Sequence, residues 1–252
     1  MKRAALAIFL SLFAAANPFA EEIDGAAFFK TARDSMKFSR DGAQINIKRA
    51  SVVPAKGLCV SVPDGEMLSI AFSNKTSMLA VGPAEFKIEA FIQGSAENSP
   101  DDNLDRESAP SNISLSLKNG RFLFSLAQRL GSSKFTVKFP NAESEIQSGI
   151  AIAETGTNGS RLIPLDGFAR IKPQDSIWEI VKDGVSAVVP AKESDKKIIF
   201  KHVYSRERER FGNFIKTAEQ LRRSVIFKYS PNAGFAAELI LPKAFFAMPI
   251  KH

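Results

Sequence analysis

The chain has 252 residues, of which 44% are hydrophobic, and this is enough to build a sizeable core in one domain or in two small ones. The formal net charge is +7, with one cysteine and two histidines in the whole sequence. A single cysteine excludes an intramolecular disulfide, and two histidines without a cysteine cluster exclude a zinc site of the usual type. We expect Cys59, in the apolar run LCVSV, to be a buried and unreactive thiol.

The N-terminus resembles a secretory signal peptide covering residues 1–20. Lys2 and Arg3 precede an apolar run, and small residues follow it, so that cleavage after Ala16 or after Ala20 fits the pattern. A buried N-terminal helix and a retained membrane anchor are the alternatives. No later stretch reaches the roughly 18 apolar residues of a spanning helix. The sequence therefore predicts an exported protein, periplasmic or extracellular, with at most peripheral membrane contact.

The first predicted element of the mature chain is a short helix. Residues 26–36 are mostly apolar or helix-compatible, and Asp24 stands before them as a possible N-cap.

Strict alternation of apolar and polar residues dominates the middle of the chain and is typical of half-buried strands. Phe86, Ile88 and Ala90 show it clearly. Short strands separated by Gly-containing turns predict a mainly β fold, either an antiparallel β sandwich or a jelly-roll-like sheet. Turns are predicted at Asp64-Gly65, Asn119-Gly120, Asn158-Gly159, Asp166-Gly167 and Asp183-Gly184.

An acidic segment interrupts these strands between Gly94 and Asn112. It holds five Asp and Glu residues against Arg106 alone and has few apolar residues. We interpret it as a flexible loop within the β domain, with a linker between two domains as the alternative.

The basic charge is concentrated at the C-terminus, where residues 195–252 contain twelve Lys and Arg against five Asp and Glu. Helical spacing of apolar residues predicts an amphipathic helix from Ser205 to about Arg223. Two apolar stretches then predict a terminal hairpin. The predicted organisation is a signal peptide (1–20), a β-rich domain (21–194) and a basic helix-hairpin region (195–252).

The chain lacks the common catalytic motifs, such as a phosphate-binding loop, a zinc-protease motif or a nucleophile elbow. A His-based triad would have to use His202, which reads more simply as a surface strand residue. Glu143 and Glu145 would share one face of a strand, but a solvated face explains them as well. We therefore predict no catalytic, metal-binding or cofactor-binding residue and no enzyme activity.

Four residues are candidates for contact with a partner. Arg206, Arg208 and Arg210 would line up on an extended strand but spread around a helix, where Glu207 and Glu209 offset their charge. Trp178 is the single Trp of the chain and is either an exposed contact or a core residue.

Residues 57–171 are similar in the order of their features to FecR-like domains. The segment IAFSNKTSMLAVGPAEFKIEAFIQ (70–93) resembles the family's strand, S-N-G-T turn and following strands. The segment SLSLKNGRFLFSLAQRLGSSKFTVKFPNAESEIQSG (114–149) resembles the motifs that follow in the family. Lys75 occupies the position where the family's turn has Gly, and Phe139 and Ser148-Gly149 also differ from the family pattern.

This resemblance implies a β-rich module without a cofactor that binds another protein in the bacterial envelope. In the classical iron-uptake regulators, a periplasmic FecR-like domain senses a receptor and relays the signal through a membrane span to a sigma factor. Without a retained span this chain would not relay across the membrane alone, so we expect an interaction or sensing module. A polysaccharide-binding or structural envelope protein is the alternative, and a hydrolase is the third. No nucleic acid partner is expected.

Overall fold

The computed structural model describes residues 22–94, 103–191 and 197–240, and within these ranges the chain forms nineteen strands and two helices. The elements are β1 (Glu22–Asp24), β2 (Ala26–Phe29), β3 (Lys37–Arg40), β4 (Ala43–Ile45), β5 (Ser51–Pro54), β6 (Leu58–Val62), β7 (Met67–Phe72), β8 (Thr76–Gly94), β9 (Ser111–Leu126), β10 (Lys134–Lys138), β11 (Ala142–Ile146), β12 (Gly149–Gly156), β13 (Gly159–Asp166), β14 (Phe168–Pro173), β15 (Glu179–Lys182), β16 (Val185–Pro190), β17 (Ile199–His202), α1 (Ser205–Arg210), α2 (Gly212–Ser224), β18 (Val225–Ser230) and β19 (Gly234–Leu239).

The predicted signal peptide and residues 95–102 of the acidic loop lie outside the described residues. Within the described ranges, no helix is both long enough and apolar enough to cross a bilayer. The strands on either side of the acidic loop, β8 and β9, pair with each other in one antiparallel ladder.

Seventeen strands pair into one continuous sheet that folds into two layers. One layer, here called the covered sheet, has the order β5-β2-β7-β8-β9-β12-β13-β16-β17. The other, the open sheet, has the order β4-β3-β6-β8-β9-β10-β11-β14-β15, and β1 also pairs with the C-terminal end of β8 in this layer. Nearly all pairings are antiparallel. The prediction of a mainly β, sandwich-like fold is therefore confirmed.

The core between the two layers is held by interlocking aromatic rings. Four edge-to-face Phe pairs of the described residues lie in this core, and each of these four takes one ring from the covered sheet and one from the open sheet. Such pairs contribute about 0.5–1.5 kcal/mol beyond the area they bury. The pairs are Phe29–Phe38, Phe72–Phe91, Phe86–Phe122 and Phe124–Phe135, with ring centroids 5.2–5.9 Å apart.

The central strands of the covered sheet are buried on both faces because α2 packs across the outer side of β7, β8 and β9. Leu79, Leu123 and Ile152 point outward from this sheet and are buried against Ala218 and Leu221 of the helix. The Ser77 hydroxyl also donates a hydrogen bond of 2.7 Å to the carbonyl oxygen of Ala218. Burial on both faces explains why strands such as MLSIAF (67–72) read as continuous apolar runs rather than as alternating ones.

Strands β8 and β9 belong to both layers, and each changes layer at a glycine that other residues approach closely. The bend lies at Gly82 in β8 and at Gly120 in β9. A Cβ on Gly82 would lie 1.7 Å from the carbonyl oxygen of Pro63, and a Cβ on Gly120 would lie 2.5 Å from the Cβ of Ala84. The predicted turn at Asn119-Gly120 is therefore wrong, since this dipeptide lies inside β9 at the bend.

A second bend repeats this arrangement. The chain passes from β11 to β12 at Gly149 and from β13 to β14 at Gly167, changing layer both times. A Cβ on Gly149 would lie 2.4 Å from the carbonyl oxygen of Asp166, and one on Gly167 would lie 2.7 Å from that of Ser148. The two crossing segments thus approach each other too closely for side chains.

The predicted N-terminal helix over residues 26–36 is wrong. Ala26–Phe29 forms β2, which pairs with β5 and β7, and all four of its side chains are buried. A helix with this composition would expose part of its circumference, whereas a strand inside a sheet covered on both faces buries every residue.

Cys59 also differs from its prediction. It is half-buried on the outward face of β6, opposite Lys87 of β8. The neighbouring core positions are taken by Leu58 and Val60, so strand alternation turns the thiol outward.

The predicted C-terminal helix and hairpin are confirmed. The helix is divided into α1 and α2 at Phe211, which is buried with Leu221 against the covered sheet. Strands β18 and β19 form a separate two-stranded sheet after α2.

We predict that Gly120→Ala destabilises the protein by about 2–4 kcal/mol, because the new Cβ combines a steric overlap with a backbone φ of +114°. Gly65→Ala is the matched control, since Gly65 also has a positive φ of +73° but no neighbour within 4 Å of the added Cβ. It should cost about 1–2 kcal/mol. Urea unfolding of both variants measures the difference, and equal losses would contradict a steric role of the bend.

Candidate protein-interaction site

Exposed large hydrophobic side chains are concentrated at one edge of the sandwich. Of the eight in the described part of the chain, six lie between residues 168 and 204. Monomeric proteins rarely group such residues unless the surface binds a partner. The six are Phe168, Ile177, Ile180, Ile199, Phe200 and Tyr204.

Two edge strands position these residues. Among the described residues, β15 pairs only with β14 and ends the open sheet, while β17 pairs only with β16 and ends the covered sheet. The turn at Asp183-Gly184, in which Gly184 has a φ of +76°, connects β15 directly to β16. The last strands of the two sheets therefore lie at the same side of the sandwich, and we call residues 168–204 of this side the β15–β17 edge.

Trp178 lies in this edge, immediately before β15, and is half-buried. Its ring is 4.6 Å from the guanidinium carbon of Arg170 and 4.7 Å from the ammonium of Lys172. Both cations point outward from β14, so the indole lies on the outer surface rather than in the core. Each cation–π contact contributes roughly 0.5–1 kcal/mol at an exposed position.

Glu143 and Glu145 occupy the same face of β11, as their spacing predicts, but each is paired with a cation of β14. Glu143 is 3.1 Å from Lys172, and Glu145 is 2.7 Å from Arg170. The two carboxylates thus hold Arg170 and Lys172 in position against the Trp178 ring.

The outer face of the open sheet carries an excess of positive charge. Four of its acidic residues each pair with a basic residue of the same face, as in the contacts of Lys118 with Glu85 and of Lys138 with Glu89. On β1, Asp24 pairs with Lys56, whereas Glu22 has no ion pair among the described residues. Within the described ranges, four outward lysines of the same face have no ion-pair partner. They are Lys37, Lys87, Lys134 and Lys182.

His202 is exposed on β17, and its ring contacts the Tyr204 ring at a centroid distance of 5.6 Å. Among the described residues it forms no hydrogen bond or ion pair that would orient it for catalysis. The same residues hold no cluster of three or more His, Cys, Asp or Glu that could bind a metal ion.

The side chains of the three arginines of α1 point to different sides of the helix, as the sequence analysis expected if this segment is helical. Arg208 turns toward the sandwich, where it contacts the carbonyl oxygen of Leu165 and lies 3.3 Å from Asp183. Arg206 and Arg210 are exposed and one turn apart on another side of the helix. The structure therefore does not bring the three together, and only Arg206 and Arg210 remain available on the surface.

Ion pairs fix the C-terminal helices to the sandwich. Arg161 of β13 is 2.5 Å from Glu207 of α1, and Arg222 of α2 is 2.6 Å from Asp105. Arg222 is 5% exposed and also donates to Ser125 and to a backbone carbonyl. A hydrogen bond from Arg161 lowers the pKa of Glu207, and hydrogen bonds from Arg222 and Arg223 lower the pKa of Asp105, in each case against an opposing effect of burial.

Sequence reasoning found Trp178 but missed the hydrophobic residues beside it. One signal was present in the run Ile198-Ile199-Phe200, since an edge strand covered on one face cannot bury three consecutive apolar side chains. The isolated residues Phe168 and Ile180 gave no comparable signal.

No protein-family model matches the chain, and no curated protein matches it. Similar solved structures include two that are described as a "putative anti-sigma factor" from Parabacteroides distasonis ATCC 8503. The first is 12% identical with a TM-score of 0.43, and the matched region covers 61% of this chain and 63% of that one. The second is 12% identical with a TM-score of 0.40, covering 60% and 62%. The match thus spans less than two thirds of either structure.

We predict that the anchoring of α1 and α2 weakens in acid. A carboxylate whose pKa is lowered by folding stabilises the protein above its unfolded pKa, and this stabilisation is lost as the pH falls through the folded value. The loss should begin below the ordinary values of 4.5 for Glu207 and 3.8 for Asp105. Urea midpoints measured over a pH series should show the double variant Glu207→Gln, Asp105→Asn below the parent at neutral pH and equal to it in acid.

Glu209→Gln is the control for this measurement, because Glu209 lies on the same helix with no ion pair among the described residues. Its unfolding midpoint should follow that of the parent throughout. A constant gap between the double variant and the parent at every pH would contradict the role of the two ion pairs.

Proposed function

We propose that this protein is an exported, non-enzymatic interaction module of the FecR-like class, which takes part in signalling or sensing in the bacterial envelope. Its partner is another protein, bound at the β15–β17 edge. The proposal rests on the exposed hydrophobic residues of that edge together with the resemblance of residues 70–149 to FecR-like domains. Export is supported by the signal-peptide pattern of residues 1–20.

The hydrophobic edge is the observation that carries the proposal. Ile177 is 77% exposed and Ile180 is 65% exposed, so both leave most of their apolar surface in water. Burial of apolar surface in an interface would contribute about 25 cal/mol of binding free energy per Å². A single exposed apolar side chain is common on protein surfaces and would not by itself indicate an interface. Protein interfaces combine apolar and aromatic residues with Arg at their centre, which is the composition found around Trp178 and Arg170.

A second candidate function is binding of an anionic envelope polymer across the open sheet. It is favoured by the four lysines without ion pairs on that face and by the Trp178 ring beside Arg170 and Lys172. Such a contact would be driven by charge and would weaken with salt. The hydrophobic edge gives a protein partner the stronger support.

We predict that Ile180→Asp weakens capture of a protein partner from envelope extract by roughly 30-fold, the effect of removing a central interface residue. The tagged mature chain serves as bait, and bound proteins are identified for parent and variant side by side. Leu239→Asp is the matched control, since Leu239 is 54% exposed but lies on β19. A partner retained equally by both variants would contradict the assignment of the edge.

Sedimentation with purified cell-wall polymer tests the second candidate. If it is right, the parent sediments at low salt and is released at high salt, and Trp178→Ala sediments less than the parent. Tyr229→Ala, which removes a half-buried aromatic ring on the hairpin, is the control and should leave sedimentation unchanged. Absence of sedimentation at low salt would exclude this candidate.

A further inference from the structure

Strand β17 offers unpaired backbone groups along its free side. Val203 donates its N–H to the carbonyl oxygen of Gly184 at 2.9 Å, and the carbonyl oxygen of Lys201 accepts from the Ser186 hydroxyl, so both residues direct backbone groups toward β16. Backbone groups of successive residues in a strand point to opposite sides. The N–H and C=O groups of Phe200 and His202 therefore point away from the sheet, where the described residues provide no strand.

The side chains of β17 are exposed on both faces. All four residues from Ile199 to His202 are exposed. Phe200 stands opposite the buried Ala187, and His202 stands opposite Val185, so these two share the inner face of the covered sheet. Ile199 and Lys201 lie on the outer face. An added strand would thus meet one apolar and one basic residue on each face.

The charge around β17 indicates which kind of segment can pair with this strand. The described residues 197–204 contain Lys197, Lys201 and His202 and no acidic residue. A second copy of β17 would place lysine near lysine across the new strand pair, which is destabilising. Acidic side chains opposite Lys201 and His202 would instead stabilise the pair.

We propose that β17 accepts an extended acidic segment of a partner protein as an additional antiparallel strand. The pattern that fits is two acidic residues opposite His202 and Lys201, followed by two apolar residues opposite Phe200 and Ile199. Backbone hydrogen bonds supply the affinity and the side-chain pattern supplies the selectivity. This inference rests on the proposed function and specifies how the partner binds.

The test uses amide hydrogen exchange of the mature protein followed by NMR, with a synthetic ten-residue peptide whose centre is Glu-Glu-Val-Val. In the free protein, the amides of Phe200 and His202 should exchange fast and that of Lys201 slowly. The peptide should slow exchange at Phe200 and His202 and leave Lys201 unchanged. A matched peptide with Lys-Lys-Val-Val should bind about fivefold more weakly, since the attractive pair with Lys201 becomes repulsive.

A proline variant separates backbone pairing from side-chain contact. Phe200→Pro removes an outward N–H while leaving the ladder to β16 intact, and edge strands tolerate proline at such positions. It should bind the acidic peptide more weakly than Phe200→Ala, which keeps the N–H. Unfolding midpoints and the exchange of β16 amides verify that both variants fold.

Three results would overturn the proposal. The first is slow exchange at Phe200 and His202 in the free protein, which would mean that this chain itself covers the edge. The others are equal binding of the acidic and basic peptides and equal binding of the acidic peptide by the two Phe200 variants. If Ile180→Asp still abolished partner capture in any of these cases, the proposed function would stand and only the strand-addition mode would fail. If Ile180→Asp left partner capture unchanged as well, both the proposed function and the strand-addition mode would fail.

Discussion

The close approach of backbone at the two bends is the constraint on which the rest of the structure depends. Strands β8 and β9 can serve both sheets only because Gly82 and Gly120 allow neighbouring segments to lie closer than any Cβ would permit. These bends set one sheet over the other, and the edge-to-face Phe pairs then lock across the gap between them. A sandwich built from bent strands needs no disulfide, in keeping with its single cysteine.

The two sheets differ because α2 covers one of them. The central strands of the covered sheet are buried on both faces, whereas charged side chains on the outer face of the open sheet form ion pairs in water, as in the pair of Glu143 with Lys172. Exposed ion pairs of this kind contribute little stability, typically below about 1 kcal/mol. Their arrangement instead gives the open face its surplus of lysines and places two cations beneath Trp178.

On one side the sandwich ends at β15 and β17, which are short strands whose outer sides meet no other strand among the described residues. Proteins limit the risk of aggregation at such edges with short strands and lysines, and both devices are present in Lys182 and Lys201. The exposed apolar residues at the same edge work against that protection. This combination is expected if the edge binds a partner segment of opposite, acidic charge, as we propose.

The sequence by itself determined the elements whose patterns are local: the alternating strands of the middle region, the amphipathic helix, the terminal hairpin and the mainly β class. Tertiary structure decided the rest. Ala26–Phe29 became a strand because β5 and β7 flank it, and Asn119-Gly120 became a bend because Ala84 lies against it. The site shows the same division. Trp178 was recognisable as a candidate from composition, but its position on Arg170 and Lys172 and its grouping with Ile180 and Phe200 follow from which strands end each sheet. Strand order is set by contacts between residues far apart in the chain, and no local pattern of residues records them.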